Sequence, residues 1–207
     1  MFQDRADAAR RLAASLHAFQ GQNPLVLAIP RGAVPMGQII ARALGGDLDV
    51  VLVRKLHAPF LPEVAVGAVD ESGWAYVSPH AERMGADAAY LAREKHAQLQ
   101  AVRARRALYT PVRAPIDPAG RTVIVVDDGL ATGATMVAAL HGLRARRPAR
   151  LVCAVPVASR EALAMVRPLA DEVVCLEVPP DFEAVGQFYR DFAQVEDDEV
   201  VRLLADS

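Results

Sequence analysis

The sequence predicts an α/β fold: one open, mostly parallel sheet with helices on both faces, and a small antiparallel hairpin attached to it. Two observations carry this expectation. Apolar, β-branched runs recur at PLVLAI (24–29), LDVVLV (48–53), TVIVV (122–126), LVCAVPV (151–157) and EVVCLEV (172–178), and none alternates with polar residues. Strands read this way when both faces are buried, as in a parallel sheet. Between the runs lie stretches of helical spacing, and strand–helix–strand repetition builds βαβ units around one sheet.

Residues 4–19 place Ala8, Leu12, Leu16 and Phe19 on one stripe, and residues 34–44 do the same with Met36, Ile39, Ile40 and Leu44. Further helices are expected near 135–145 and 159–169, the latter entered through Ser159. The rhythm breaks in the middle. Residues 55–80 contain Pro59, Pro62 and Pro79 around VAVGAVDESGWAYVS, which reads as an antiparallel hairpin turning at Glu71-Ser72-Gly73. A long, Arg-rich helix from about Asp87 to Tyr109 should follow, then the proline-rich connector TPVRAPIDPAG (110–120). With no internal repeat and no long linker, residues 1–207 are expected to form a single domain.

Composition narrows the function classes only a little. The 207 residues are 53% apolar and 23% charged, which suits one substantial core. A formal net charge of −2 argues neither for nor against a nucleic-acid partner. Cys153 and Cys175 each sit in an apolar run and read as buried free thiols, and no Cys/His cluster has zinc spacing. The opening MFQDRADAARRLAASL is amphipathic and contains acids, so it reads as neither a signal peptide nor a membrane span. The expected compartment is the cytoplasm.

The chemistry concentrates in TVIVVDDGLATGAT (122–135), where a strand runs into two adjacent carboxylates and then a loop of small residues and hydroxyls. In open parallel sheets, ligands bind beyond the carboxyl ends of the strands, where Asp127 and Asp128 stand. Glycines let the backbone approach a ligand, and free N–H groups at a helix start favour an anion. Thr132 and Thr135 add hydroxyl donors. Carboxylates accept from hydroxyls, so a phosphate with a vicinal diol beside it, as in a ribose 5-phosphate, would satisfy the whole stretch. The stretch is not a Walker loop, whose Gly-Lys-Ser/Thr ending is absent, and no GxGxxG occurs.

VIVVDDGLATGAT resembles the ribose-phosphate motif of the type I phosphoribosyltransferases. The resemblance implies that Asp127 and Asp128 hold the ribose hydroxyls of phosphoribosyl pyrophosphate. It also implies that Gly129, Ala131, Thr132, Gly133, Ala134 and Thr135 surround the 5-phosphate. AIPRGAVPMG (28–37) resembles the family's pyrophosphate loop, with Arg31 as the basic residue and Gly32 offering backbone. VLVRKLHAPFLPE (51–63) places Arg54 and Lys55 at the end of the second strand. There the family commonly has a lysine that reaches the pyrophosphate, followed by a covering loop, here 56–63. His57 reads as a surface histidine of that loop.

The resemblance spans nearly the full length and implies the fold, the donor and the reaction: transfer of ribose 5-phosphate to a small-molecule acceptor, with release of pyrophosphate. Mg²⁺ (Mg2+) is the implied cofactor, arriving with the pyrophosphate and touching Asp127 and Asp128 only through substrate and water. The acceptor is less legible. The family's 6-oxopurine enzymes carry an aspartate where this chain has Ala131, and a lysine on the next strand, which here reads LVCAVPVAS. Hypoxanthine and guanine are therefore not the expected acceptors. VPPDFEAVGQFYRDF (178–192) is loosely similar to a base-stacking segment, so Phe182, Val185, Phe188 and Tyr189 read as either a wall of the acceptor site or core. Segment 56–80, with Trp74 and Tyr76, is the other candidate lid or hood. The rival is a non-catalytic protein that binds phosphoribosyl pyrophosphate or a nucleotide as a signal. The clusters Arg103, Arg105, Arg106 and Arg144, Arg146, Arg147, Arg150 read as solvated faces because no aromatic residues interleave with them, so nucleic acid is not the expected partner. A homodimer is left open.

Overall fold

The computed structural model describes all 207 residues. Five parallel strands form the main sheet in the order β2 (Asp47–Val50), β1 (Leu25–Ala28), β6 (Thr122–Val126), β7 (Arg150–Val157) and β8 (Glu172–Glu177). Helices α1 (Arg5–Ser15) and α2 (Val34–Leu44) cover one face, while α4 (Ala134–Ala145) and α5 (Arg160–Val166) cover the other. Side chains alternate along a strand, and that alternation divides the core. Val26, Ile124 and Val152 point toward α1 and α2, whereas Leu25, Val123 and Leu151 point toward α4 and α5. Both classes are buried, so the apolar stretches of β1, β6 and β7 carry no polar residue to mark a face.

The helices begin where short polar side chains can accept the first free N–H groups. Asp4 caps α1 at 2.7 Å, Ser159 caps α5 at 3.0 Å, and Asp87 caps α3 (Ala88–Tyr109) at 2.7 Å. Helix α2 carries Pro35 in its first turn and ends on Gly45 at φ +66°, the left-handed conformation that suits glycine. A last helix, α6 (Asp197–Ala205), which the sequence reading did not anticipate, packs against α2 and α3. No helix is long and apolar enough to cross a membrane. Both cysteines are free; burial pushes their thiols up, Cys175 to about 11, so neither is a ready thiolate.

The middle segment corrects the sequence reading in one respect. LDVVLV is not one strand. Strand β2 stops at Val50, and Val53 opens a second sheet of three antiparallel strands, β3 (Val53–Ala58), β4 (Leu61–Asp70) and β5 (Ala75–Val77). Leu48, Val50, Leu52 and Val53 are all buried, so burial continues across the crossover and the apolar run hides the change of sheet. Arg54 and Lys55 consequently lie within the first strand of this hood. Residues 56–63 are likewise the β3–β4 hairpin, whose tip exposes Phe60.

The expected turn at Glu71-Ser72-Gly73 is present. The Asp70 carboxylate accepts from Ser72 Oγ at 2.6 Å and from the Trp74 N–H at 3.0 Å. Trp74 then stacks flat on His141 of α4, ring centroids 3.6 Å apart, and pins the hood to the parallel domain. That contact turns Trp74 away from the cleft described below, and Tyr76 does not line the cleft either.

Gly67 sits where β4 crosses β5, and a methyl group there would collide with the Tyr76 carbonyl oxygen. Gly67→Ala is expected to destabilise the chain by about 1–3 kcal/mol through overpacking. Urea unfolding reads this directly, and a wild-type midpoint would show that β5 moves aside at no cost.

Candidate functional site

A cleft of about 880 Å³ opens at the carboxyl ends of β1 and β6, beneath the hood. At its floor stand Asp127 and Asp128. Asp127 Oδ1 accepts the Asp128 N–H at 2.8 Å, and Asp128 Oδ2 accepts from Arg5 Nε at 3.0 Å and lies 2.9 Å from Arg5 Nη2. Each carboxylate thus has one oxygen tied to the chain. Asp127 Oδ2 and Asp128 Oδ1 receive no hydrogen bond from the protein, leaving two adjacent acceptors. Burial, then the neighbouring Asp128 charge, pushes the Asp127 carboxyl well above the usual range, against the opposing pull of Lys55 and Arg5. Burial also raises Asp128, against the Arg5 guanidinium that favours its charged form.

Gly32 faces this pair across the cleft. Any side chain there would strike Asp128 Oδ2 and the Arg5 guanidinium, so the close approach of the two loops requires glycine. The peptide between Pro30 and Arg31 is cis.

The loop from Gly129 to Gly133 turns the chain from β6 into α4. The N–H groups of Ala131, Thr132, Gly133, Thr135 and Met136 have no acceptor within the chain, and they gather around the positive end of α4. Gly133 takes φ +80° and packs on Ala162, while Ser159 Oγ donates to the Ala131 carbonyl at 2.7 Å. The β7–α5 turn therefore holds the loop from behind. Such a nest binds an anion through backbone donors. Ala134 stands apart from its neighbours: its methyl is buried, it does not line the cleft, and its N–H faces Thr132 Oγ1 at 3.4 Å.

Arg31, Arg54 and Lys55 line the opposite wall, joined by Arg105 from α3. Arg31 Nη1 lies 3.1 Å from Glu196 and 3.8 Å from Asp197, both at the start of α6. Arg54 donates to Gln98 at 2.7 Å. Burial, then Arg105, pulls the Arg54 pKa down, as expected where like charges crowd. His57 also lines the cleft, half-buried, its Nδ1 3.1 Å from Glu94.

The tail supplies the remaining wall. Val185 touches the position of Gly129 and lines the cleft with Phe192. Phe182 and Phe188 pair with each other at 5.1 Å and pack on the core. Tyr189 is buried and donates its hydroxyl to the Asp128 carbonyl at 2.6 Å, so it supports the acid pair from beneath.

Sequence reasoning missed Arg5, Arg105 and Phe192. Arg5 sits in a helix read only as amphipathic. It reaches the cleft because the Phe2 N–H donates to the Phe188 carbonyl (2.8 Å) and the Arg190 N–H to the Phe2 carbonyl (2.9 Å), joining the two ends of the chain. Its guanidinium then lies over the Phe192 ring, 3.9 Å from the centroid. No local pattern signals a contact between residues this far apart in sequence.

The acid pair links stability to pH. Above the ordinary carboxylate value of 3.8, the folded chain holds more protons at this pair than the unfolded chain. Its contribution to stability therefore falls as pH rises through the raised folded pKa. Asp127→Asn removes the penalty while its amide oxygen can still accept the Asp128 N–H. Urea unfolding should show a gain of roughly 0.5–2 kcal/mol at pH 7 that shrinks toward pH 4. A gain independent of pH would rule this origin out.

Comparison with known proteins agrees with the geometry. Residues 2–193 match the family described as the phosphoribosyl transferase domain. A Mycobacterium tuberculosis protein named "Putative phosphoribosyl transferase Rv0571c" is 42% identical over 205 residues, which are 99% of this chain and 46% of that protein. The chain thus spans about half the length of the curated relatives it matches. The crystal structure of TT1426 from Thermus thermophilus is 47% identical, with a TM-score of 0.82 over 99% of this chain and 98% of that one. A hypoxanthine phosphoribosyltransferase from Staphylococcus aureus, 14% identical, shares the fold at a TM-score of 0.50 over 86% of this chain and 74% of its own. The strands, the acid-pair loop and these matches together place the chain in the phosphoribosyl transferase domain family.

Proposed function

We propose that the cleft binds phosphoribosyl pyrophosphate and transfers its ribose 5-phosphate to a small, nucleobase-like acceptor, releasing pyrophosphate. The observation that carries this reading is the pair of untied oxygens, Asp127 Oδ2 and Asp128 Oδ1, beside a loop of unpartnered amides. A vicinal diol and a phosphate on one ribose match that pairing of acceptors with donors. The cationic wall opposite suits the leaving group.

In the reaction, the bond from the anomeric carbon to the pyrophosphate oxygen breaks and a bond to an acceptor nitrogen forms. The acceptor loses its proton, and the electron pair of the broken bond leaves with pyrophosphate. Positive charge grows on the ribose while negative charge grows on the leaving group. Asp127 and Asp128 face the first, and Arg31, Arg54 and Lys55 the second, so the charges are in place before the reaction begins. The exposed tip of the β3–β4 hairpin, around Phe60, is the lid of this reading, and its closure would exclude water.

No cluster of three His, Cys, Asp or Glu side chains forms a metal cage. The residues present fit an ion that comes with its ligand: the untied oxygens of Asp127 and Asp128 are hard donors that would hold Mg²⁺ through water. Bound there, Mg²⁺ would neutralise charge on the pyrophosphate. The acceptor side offers Val185 and Phe192, and β7 (RLVCAVPV) carries no lysine to read a base oxygen. A 6-oxopurine is therefore a poor candidate acceptor.

Calorimetric titration with phosphoribosyl pyrophosphate and Mg²⁺ tests the donor site. Wild type should bind, and Asp128→Asn should bind at least tenfold more weakly, since a charge-assisted hydrogen bond contributes roughly 1.5–3 kcal/mol. Absence of wild-type binding sinks the proposal. Binding without pyrophosphate release on any base screened would favour a non-catalytic sensor.

A further inference from the structure

Resting on the proposed donor site, we infer that Arg105, from the penultimate turn of α3, is an additional leaving-group residue that contacts the pyrophosphate directly. It belongs to none of the motifs that mark the site. Helix α3 nevertheless brings it into the same cleft as Arg31, Arg54 and Lys55.

Its contacts leave it available. Arg105 Nε lies 3.5 Å from Asp197 Oδ1, an ion pair without a hydrogen bond, and its two terminal nitrogens have no partner in the chain. Neither nitrogen is buried without a partner, and the residue lines the cleft. Asp197 is already committed: its Oδ1 accepts the Tyr109 hydroxyl at 2.6 Å, and its Oδ2 lies 3.8 Å from Arg31. Arg54 and Lys55 have no carboxylate within ion-pair distance. Three guanidiniums and one ammonium therefore line this wall, where Arg31 and Arg105 both lie against Asp197 and Glu63 is the one carboxylate facing the cleft beside them. Cations in excess of the carboxylates lining the wall suit an anion with oxygens spread over two groups, which is the form of a diphosphate. The planar fork of an arginine suits such oxygens better than a lysine would.

The test is calorimetry with inorganic pyrophosphate plus Mg²⁺ and, separately, with ribose 5-phosphate. Wild type, Arg105→Gln, Arg105→Lys and Arg103→Gln are compared; Arg103 is exposed on the same helix and controls for loss of one positive charge. Arg105→Gln is expected to bind pyrophosphate about tenfold more weakly, with ribose 5-phosphate affinity unchanged and Arg103→Gln like wild type. If Arg105→Gln does not fold, Arg105→Lys carries the same comparison with a smaller loss. Equal pyrophosphate binding by wild type and variant overturns the inference. So does an equal loss for both ligands, which would mark Arg105 as a tie between α3 and α6. Wild type that binds neither ligand would bring down the donor-site reading itself, and this inference with it.

Discussion

Two adjacent carboxylates at the end of a buried strand are the constraint around which the rest of the molecule is arranged. Like charges at Asp127 and Asp128 repel, and burial disfavours both in their ionised form. Three distant parts of the chain answer this. Arg5 bonds one oxygen of Asp128, Lys55 places a positive charge nearby, and Tyr189 holds the Asp128 carbonyl from below. The pairing of Phe2 with residues 188–190 brings Arg5 to its post, and Gly32 leaves room for it. The N-terminus, the C-terminal tail and the β1–α2 loop are thus all fitted to one pair of side chains. The pair remains incompletely satisfied, as a binding site must be.

The opposite wall follows the reverse logic, with cations in excess. The hood carrying Arg54 and Lys55 is not loosely attached. Trp74 stacks on His141, Arg106 makes a two-pronged contact with Glu71, and Glu94 joins His57 to Gln98. These contacts fix β3 against α3, and so fix Arg54 relative to Arg105. Between the two walls lies the space proposed for the phosphoribosyl group.

The remaining arginines do other work. Arg144 pairs with Asp171, Arg146 with Asp117 and Arg150 with Glu172. Exposed pairs of this kind add little to stability. Their effect is on the field: carboxylates interrupt what the sequence shows as basic clusters. Arg105 and Arg106, neighbours in sequence, diverge into the cleft and onto Glu71 respectively. No continuous basic stripe results.

Taken by itself, the sequence determined the elements whose signal is local. Continuous apolar runs specified the parallel strands, and the long Arg-rich helix expected from about Asp87 to Tyr109 is α3, which Asp87 caps. The acid pair and its loop were legible because one strand–turn–helix of 14 residues holds them all. Three things needed the tertiary structure. The change of sheet at Val51–Leu52 was hidden because burial does not stop there. Trp74 and Tyr76, aromatic and near the site in sequence, turned out to serve the core. Arg5, Arg105 and Phe192 entered the cleft only through contacts between segments remote along the chain, 123 residues apart for Arg5 and Asp128. Periodicity and motif spacing report what a residue's neighbours along the chain demand. Which distant charge comes to rest beside a buried carboxylate is set by packing, and packing exists only once the chain has folded.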